Sequence, residues 1–174
     1  LANDFLKASG QEVGKSLVSN ADAGAIKRLL ADPKLVIPVD SLVIPSAIVG
    51  TPGARAGARV AAAGQVRPDE VILDHGPGTS ALLFSLAQKT KTILWNGPLG
   101  NYENGFAAAT DSFARAVASS GAHSVVGGGD TVAAIENLGL LPHFSFVSTG
   151  GGAMLDFLAK GALPGIDALD NKAS

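Results

Sequence analysis

Apolar residues along the second half of the chain switch repeatedly between short β-branched runs and longer runs of helical period. Residues 71–73, 92–95, 124–126 and 144–147 predict strands, and residues 80–88, 106–119, 131–138 and 153–159 predict the helices that follow them. Strands and helices alternating at this spacing predict an α/β fold, a Rossmann-like three-layer arrangement whose mostly parallel sheet is covered on both faces. The first half is less regular. Leu1, Ala2, Phe5 and Leu6 predict a helix over residues 1–9 that Gly10 ends, and Ala25, Ile26, Leu29 and Leu30 predict another over residues 21–30. Residues 35–37 read as a brief strand, and residues 41–49 as an edge or irregular strand because Pro45 interrupts them. Residues 50–67, rich in Ala, Gly and Arg, read as a loop with Arg55, Arg59 and Arg67 on solvated surface. The tail from Leu163, holding Pro164 and Gly165, reads as irregular. Neither an internal repeat nor a domain boundary is visible.

The turns carry the chemistry. HGPGT at 75–79, WNGPLG at 95–100, GGGDT at 127–131 and STGGG at 148–152 each follow a predicted strand. In an open parallel sheet such turns share one edge, and ligands bind there. Consecutive glycines let the backbone turn sharply and let a ligand come close. Asp130 is placed as a helix N-cap and Thr131 in the first turn. Backbone N–H groups at a helix start, with the positive end of the dipole, make a site for an anion. Either glycine triplet alone reads equally well as a plain strand-to-helix connection; two in succession point to phosphate.

Composition narrows the class. A chain of 174 residues, 47% hydrophobic and 16% charged, can bury a real core and is not disordered. A net charge of -2 without a basic run argues against a nucleic-acid partner. No apolar stretch is long enough to span a bilayer, so no membrane partner is expected. The absence of cysteine excludes disulfides and thiolate metal ligands and suits a cytoplasmic protein. The start, LANDFLKASG, has no signal-peptide pattern and no initiator Met, so the chain reads as a fragment or a trimmed product. His75, His123 and His143 have no metal or triad spacing, and Trp95, Phe106 and Met154 read as core. From the residues alone, a phosphate-handling enzyme domain, a dinucleotide-binding module and a non-catalytic assembly domain stay open. No G-x-G-x-x-G follows an early strand, which counts against the second, while fold alone never excludes the third.

WNGPLG, GGGDT and STGGG, in that order and spacing, resemble the phosphoglycerate kinase family, specifically its C-terminal, nucleotide-binding domain. LANDFLK, GKSL, PVD at 38–40, LDHGP at 73–77 and LPGIDAL at 163–169 extend the resemblance over residues 1–169. It implies that residues 1–174 are part of that domain in a two-domain kinase, without its opening segments and without the N-terminal domain that binds phosphoglycerate. The implied activity is reversible phosphoryl transfer between 1,3-bisphosphoglycerate and ADP, giving 3-phosphoglycerate and ATP in glycolysis. MgATP or MgADP is the implied ligand, with Mg²⁺ as the metal, the complete enzyme a monomer, and the fragment inactive alone and prone to associate.

By position the resemblance gives Asp130 the metal, Glu103 the ribose, and Leu17, Leu73 and Pro98 the slot for adenine and ribose. Asn96 is similar to a phosphate-side donor, and Gly128, Gly129, Asp130 and Thr131 match the phosphate and magnesium turn. Gly150, Gly151 and Gly152 would form the second helix start, and Gly129, Thr131 and Gly152 would be the catalytic set facing the migrating group. Asn101-Tyr102, Ala109 and Gly78 depart from the family's usual Val-Phe, Gly and basic residue.

Overall fold

A strand that the sequence reads as peripheral stands at the centre of its sheet. Asp40–Pro45, β1, lies between β2 (Arg59–Ala62) and β3 (Glu70–His75), antiparallel to both, in the order β2-β1-β3. Side chains alternate across the pleat: Ile44 packs with Ala54, Leu73 and Phe106, and Val43 with Ala61 and Val66 on the opposite face. Pro45 does not demote the strand, because it is the last residue, opposite Glu70, where a missing N–H costs little. The computed structural model describes residues 1–19 and 21–170, which fall into two compact units. One holds Leu1–Leu86 with Leu99–Phe113, and the other Ala87–Pro98 with the chain from Ala114 on.

In the first unit, α1 (Ala2–Ala8) and α2 (Ala23–Leu30) form where the apolar spacing puts them. Residues 50–67 are not a loop throughout. A short 3₁₀ turn, Ala54–Gly57, leads into β2, whose Ala61 is the one buried position. Arg59 is not solvated surface: its Nε and Nη2 donate to Glu70 Oε1 and Oε2 at 2.7 and 2.6 Å. The Glu70 side chain is buried and also accepts from the Arg67 backbone N at 2.8 Å, while the Arg67 side chain stays exposed. Residues 35–37 form no strand; they run irregularly between Pro33 and Pro38, outside any ladder. Helix α3 is Pro77–Ala87 and starts three residues ahead of the expected Ser80, since Pro fits the first helical position. Asp40, at the head of β1, closes that start by accepting from Gly78 N at 2.8 Å and Thr79 N at 2.7 Å.

The second unit carries three strands of the expected parallel sheet; the fourth, residues 71–73, lies in β3 and pairs antiparallel with β1 instead. β4 (Thr92–Asn96), β5 (His123–Gly127) and β6 (Phe146–Ser148) pair in parallel in the order β4-β5-β6. Parallel neighbours need long crossovers, and helices supply them: α4 (Ala108–Ala118) before β5 and α5 (Gly129–Asn137) before β6. Val126, Ala134 and Ile135 are fully buried, and the Trp95 and Phe144 rings lie 6.5 Å apart. Helices α6 (Gly151–Lys160) and α7 (Pro164–Asp170) complete the unit. The expected irregular tail is therefore helical over its first part, because Pro164 opens a helix instead of breaking one; residues 171–174 lie outside the described residues. No helix among the described residues is long and apolar enough to cross a membrane.

Acid sensitivity follows from the buried carboxylates. The Arg59 guanidinium holds Glu70 below the usual range, outweighing its burial. Burial pushes Asp40 up, but the Thr79 hydroxyl, the Thr79 and Gly78 amides and nearby His75 together hold it down. A carboxyl depressed in the folded state stabilises above its unfolded pKa, near 4, and that stability goes as pH falls through the folded value. Glu70→Gln should therefore lower stability by about 2 kcal/mol at pH 7, the scale of a charge-assisted bond. The difference should shrink steadily below about pH 4, read by thermal melts across pH.

Candidate functional site

The three parallel strands end in register. Asn96 pairs with Gly127 and Gly127 with Ser148, so the WNGPLG, GGGDT and STGGG turns leave one edge of the sheet together. After Gly127 the chain turns through Gly128, at φ 93°, a conformation that a side chain resists. Helix α5 then begins at Gly129, so Gly128 is the cap residue and Asp130 is the second helical residue, exposed. The expectation of Asp130 as N-cap is thus wrong by two positions; glycine at 128 supplies the turn that a capping side chain would otherwise shape. Thr131 follows one residue later, fully buried, and its Oγ1 has no hydrogen-bond partner.

Helix α6 repeats the device. Its cap is Gly150 and it begins at Gly151. A Cβ on Gly151 would overlap Gly128 N and sit 2.6 Å from Gly128 Cα, so the two turns touch backbone to backbone. One on Gly127 would come 2.8 Å from Met154 Cε. Glycine is therefore required by the fold at 128, for its positive φ, and at 151, for its contact with backbone, whereas at 127 only the flexible end of Met154 would have to move. Gly129 and Gly152 differ: a Cβ on either would meet nothing within 4 Å. Between the turns, Asn96 Nδ2 donates to Gly151 O at 2.9 Å. Trp95 Nε1 donates to Gly97 O at 2.8 Å and fixes the turn that carries half-buried Pro98.

No side chain caps α5 or α6. That sets them apart from α2, α3 and α4, where carboxylates take helix-start amides: Asp22 for α2, Asp40 for α3, and Asp74, through Ala109 N at 3.1 Å, for α4. Bare N–H groups and the positive dipole ends of two adjoining helices suit an anion with several oxygens.

The remaining site candidates lie in the first unit. Leu17 is 89% exposed, on a loop tied to β3 by Lys15 N to Glu70 O at 2.7 Å and Ile72 N to Ser16 Oγ at 2.8 Å. Leu73 is a core side chain whose carbonyl accepts from Asn101 N at 2.7 Å. Glu103 is exposed in a short turn, Tyr102–Asn104. Two residues that the sequence reading passed over position this turn. Asp74 lies against Gly100, and Thr110 Oγ1 accepts from Leu99 N at 3.0 Å. Burial raises the Asp74 carboxyl above its usual range, opposed by the Ala109 and His75 amides and Arg55. The sequence signal was an acid closing a strand before a glycine. A cavity of about 780 Å³ between α3 and the start of α4 contains none of these candidates. Among the described residues no three His, Cys, Asp or Glu side chains cluster as a metal cage, and Asp130 stands as a single carboxylate at the α5 start.

The sequence profile described as phosphoglycerate kinase matches residues 1–161. The phosphoglycerate kinase of Nitratidesulfovibrio vulgaris is 41% identical over 180 residues, taking in 100% of this chain and 44% of that protein. That of Koribacter versatilis is 42% identical, taking in 99% and 43%. Among solved structures, phosphoglycerate kinase from Coxiella burnetii superposes with a TM-score of 0.84 at 40% identity, covering 99% of this chain and 45% of that one. The Pyrococcus horikoshii structure gives 0.77 at 29% identity, covering 97% and 43%. The chain thus spans less than half the length of the relatives it matches.

The glycines sort into two testable kinds. Gly151→Ala should destabilise by about 1–3 kcal/mol through overpacking against Gly128. Gly129→Ala and Gly152→Ala should leave stability unchanged or raise it by about 0.5–1 kcal/mol, since alanine is the better helix former. Urea unfolding of the three variants checks the split.

Proposed function

The chain belongs to the phosphoglycerate kinase family, and from that premise we propose that its second unit holds the phosphates of MgADP or MgATP during phosphoryl transfer with a phosphoglycerate carboxylate. The observation that carries this is the buried, unpartnered Thr131 hydroxyl beneath two uncapped helix starts in contact. A buried hydroxyl without a partner costs free energy that a phosphate oxygen would return. Gly129 and Gly152 leave open space in front of the backbone, where a phosphate can approach the amides closely.

Phosphoryl transfer asks a protein for positioning and for neutral surroundings where charge moves. In this reading the α5 and α6 amides, with Thr131, cradle the transferring group, so Gly129, Thr131 and Gly152 are its closest protein contacts. Asp130 offers one exposed carboxylate beside them, the donor set suited to a hard Mg²⁺ ion that takes its other ligands from phosphate and water. Bound there, the ion would neutralise phosphate charge. By the family resemblance Glu103 would serve the ribose and Leu17 and Pro98 the nucleoside, while Leu73, a core side chain, holds the Asn101 amide through its carbonyl. The phosphoglycerate end falls to the length of the relatives that this chain does not span, and a cytoplasmic setting fits the same reading.

Calorimetric titration of the chain with MgADP should show one saturable site, and NADH should show none; absence of MgADP binding overturns the reading. Thr131→Val keeps the shape and removes the orphaned hydroxyl. It should stabilise the nucleotide-free chain by about 1 kcal/mol and weaken MgADP about tenfold. Asp130→Asn, at an exposed position, should change stability by less than about 0.5 kcal/mol and abolish the gain in ADP affinity that Mg²⁺ provides.

A further inference from the structure

We infer that Asn96 is a positioning residue: its carboxamide fastens the start of α6 to the end of β4 and so fixes how far apart the two bare helix starts stand. This deepens the proposed nucleotide site and rests on it. Asn96 is the last residue of β4, in register with Gly127 of β5. Its Nδ2 donates to Gly151 O at 2.9 Å. Nδ2 also lies 3.2 Å from where a Cβ on Gly127 would be, and Oδ1 the same distance from that of Gly128. One planar group therefore touches both glycine turns at their point of contact.

The chemistry suits the place. Two helix N-termini side by side repel, and α6 has no capping side chain to anchor its first residues. Gly151 can supply no side-chain anchor, because any Cβ there overlaps Gly128. A donor reaching the Gly151 carbonyl from the end of β4, across β5, holds the turn instead. An amide does this without charge, whereas a carboxylate would repel both the carbonyl and an incoming phosphate, and a lysine would occupy the anion's place. The role differs from that of a residue whose only task is to touch phosphate, since the bond is made in the protein without nucleotide.

The test uses the intact chain with Asn96→Leu, Asn96→Asp and Asn96→His. Without nucleotide, amide hydrogen exchange at Met154, whose N–H donates to Gly150 O, and at Leu155 and Asp156 in the next helical positions should rise at least tenfold in the Leu and Asp variants, while Ala134, Ile135 and the strands β1–β3 keep their protection. Asn96→His, whose Nδ1–H reaches a similar distance, should restore protection to within about threefold. MgADP affinity should fall at least tenfold in Asn96→Leu at an unchanged melting temperature and return with His. Unchanged exchange at 154–156 in both the Leu and Asp variants overturns the inference, as does a fall in protection spread over the whole chain. If the parent chain binds no MgADP, the nucleotide reading fails, and the exchange data still decide whether Asn96 holds the turn.

Discussion

Two stretches of backbone in contact, Gly128 against Gly151, govern the geometry of the parallel sheet's working edge. The contact brings the N-termini of α5 and α6 together, each the equivalent of about half a positive charge. Their mutual repulsion is unfavourable, and an anion between them, as the proposed phosphate site would supply, would relieve it. Three features make it possible: strands that end level at Asn96, Gly127 and Ser148, glycine wherever a Cβ would intrude, and a neutral amide bridging the turns.

The starts of α3 and α4 are treated in the opposite way. Asp40 and Asp74, from two strands that pair with each other, reach the first turns of α3 and α4 and take their amides. Those two carboxyls are pushed in opposite directions. Thr79 and its neighbours hold Asp40 down against its burial, and burial prevails at Asp74. A helix start already occupied by a carboxylate neither needs nor admits a phosphate. One chain thus closes the starts of α3 and α4 with its own carboxylates and leaves those of α5 and α6, the proposed phosphate seat, without a side-chain cap.

The seat was easier to read from sequence than the joint. Glycine runs after β-branched runs gave the locations of β4, β5 and β6 and of the turns beyond them, because both signals are local. Arg59 and Glu70 were opaque for the converse reason. They meet across a sheet, eleven residues apart, in a register that no local spacing encodes. The centrality of β1 was hidden likewise, since Pro45 reads as an interruption until its place at the strand's end is known. Residues 35–37 show the limit of β propensity: apolar, β-branched residues without a neighbouring strand stay irregular. Asp130 was misplaced because a glycine can serve as the cap residue through its own backbone, leaving the acid inside the first turn. Family resemblance, not periodicity, supplied the individual roles of Glu103, Leu17 and Leu73.

Several locally unfavourable features of the chain gather in one place. Gly129 and Gly152 give up helix propensity with no packing in return, Gly128 sits at a positive φ, and Thr131 buries a hydroxyl with no partner. Each is unfavourable for folding taken alone. Elsewhere the fold satisfies such groups: the Ser16 hydroxyl accepts from Ile72 N, Thr79 donates to Asp40, and Thr110 accepts from Leu99 N. Unfavourable features scattered at random would only mark a weakly stable protein. Gathered around two touching helix starts at the end of a parallel sheet, they fit the ligand proposed above: compact, anionic, rich in oxygen acceptors and small enough to lie against bare backbone.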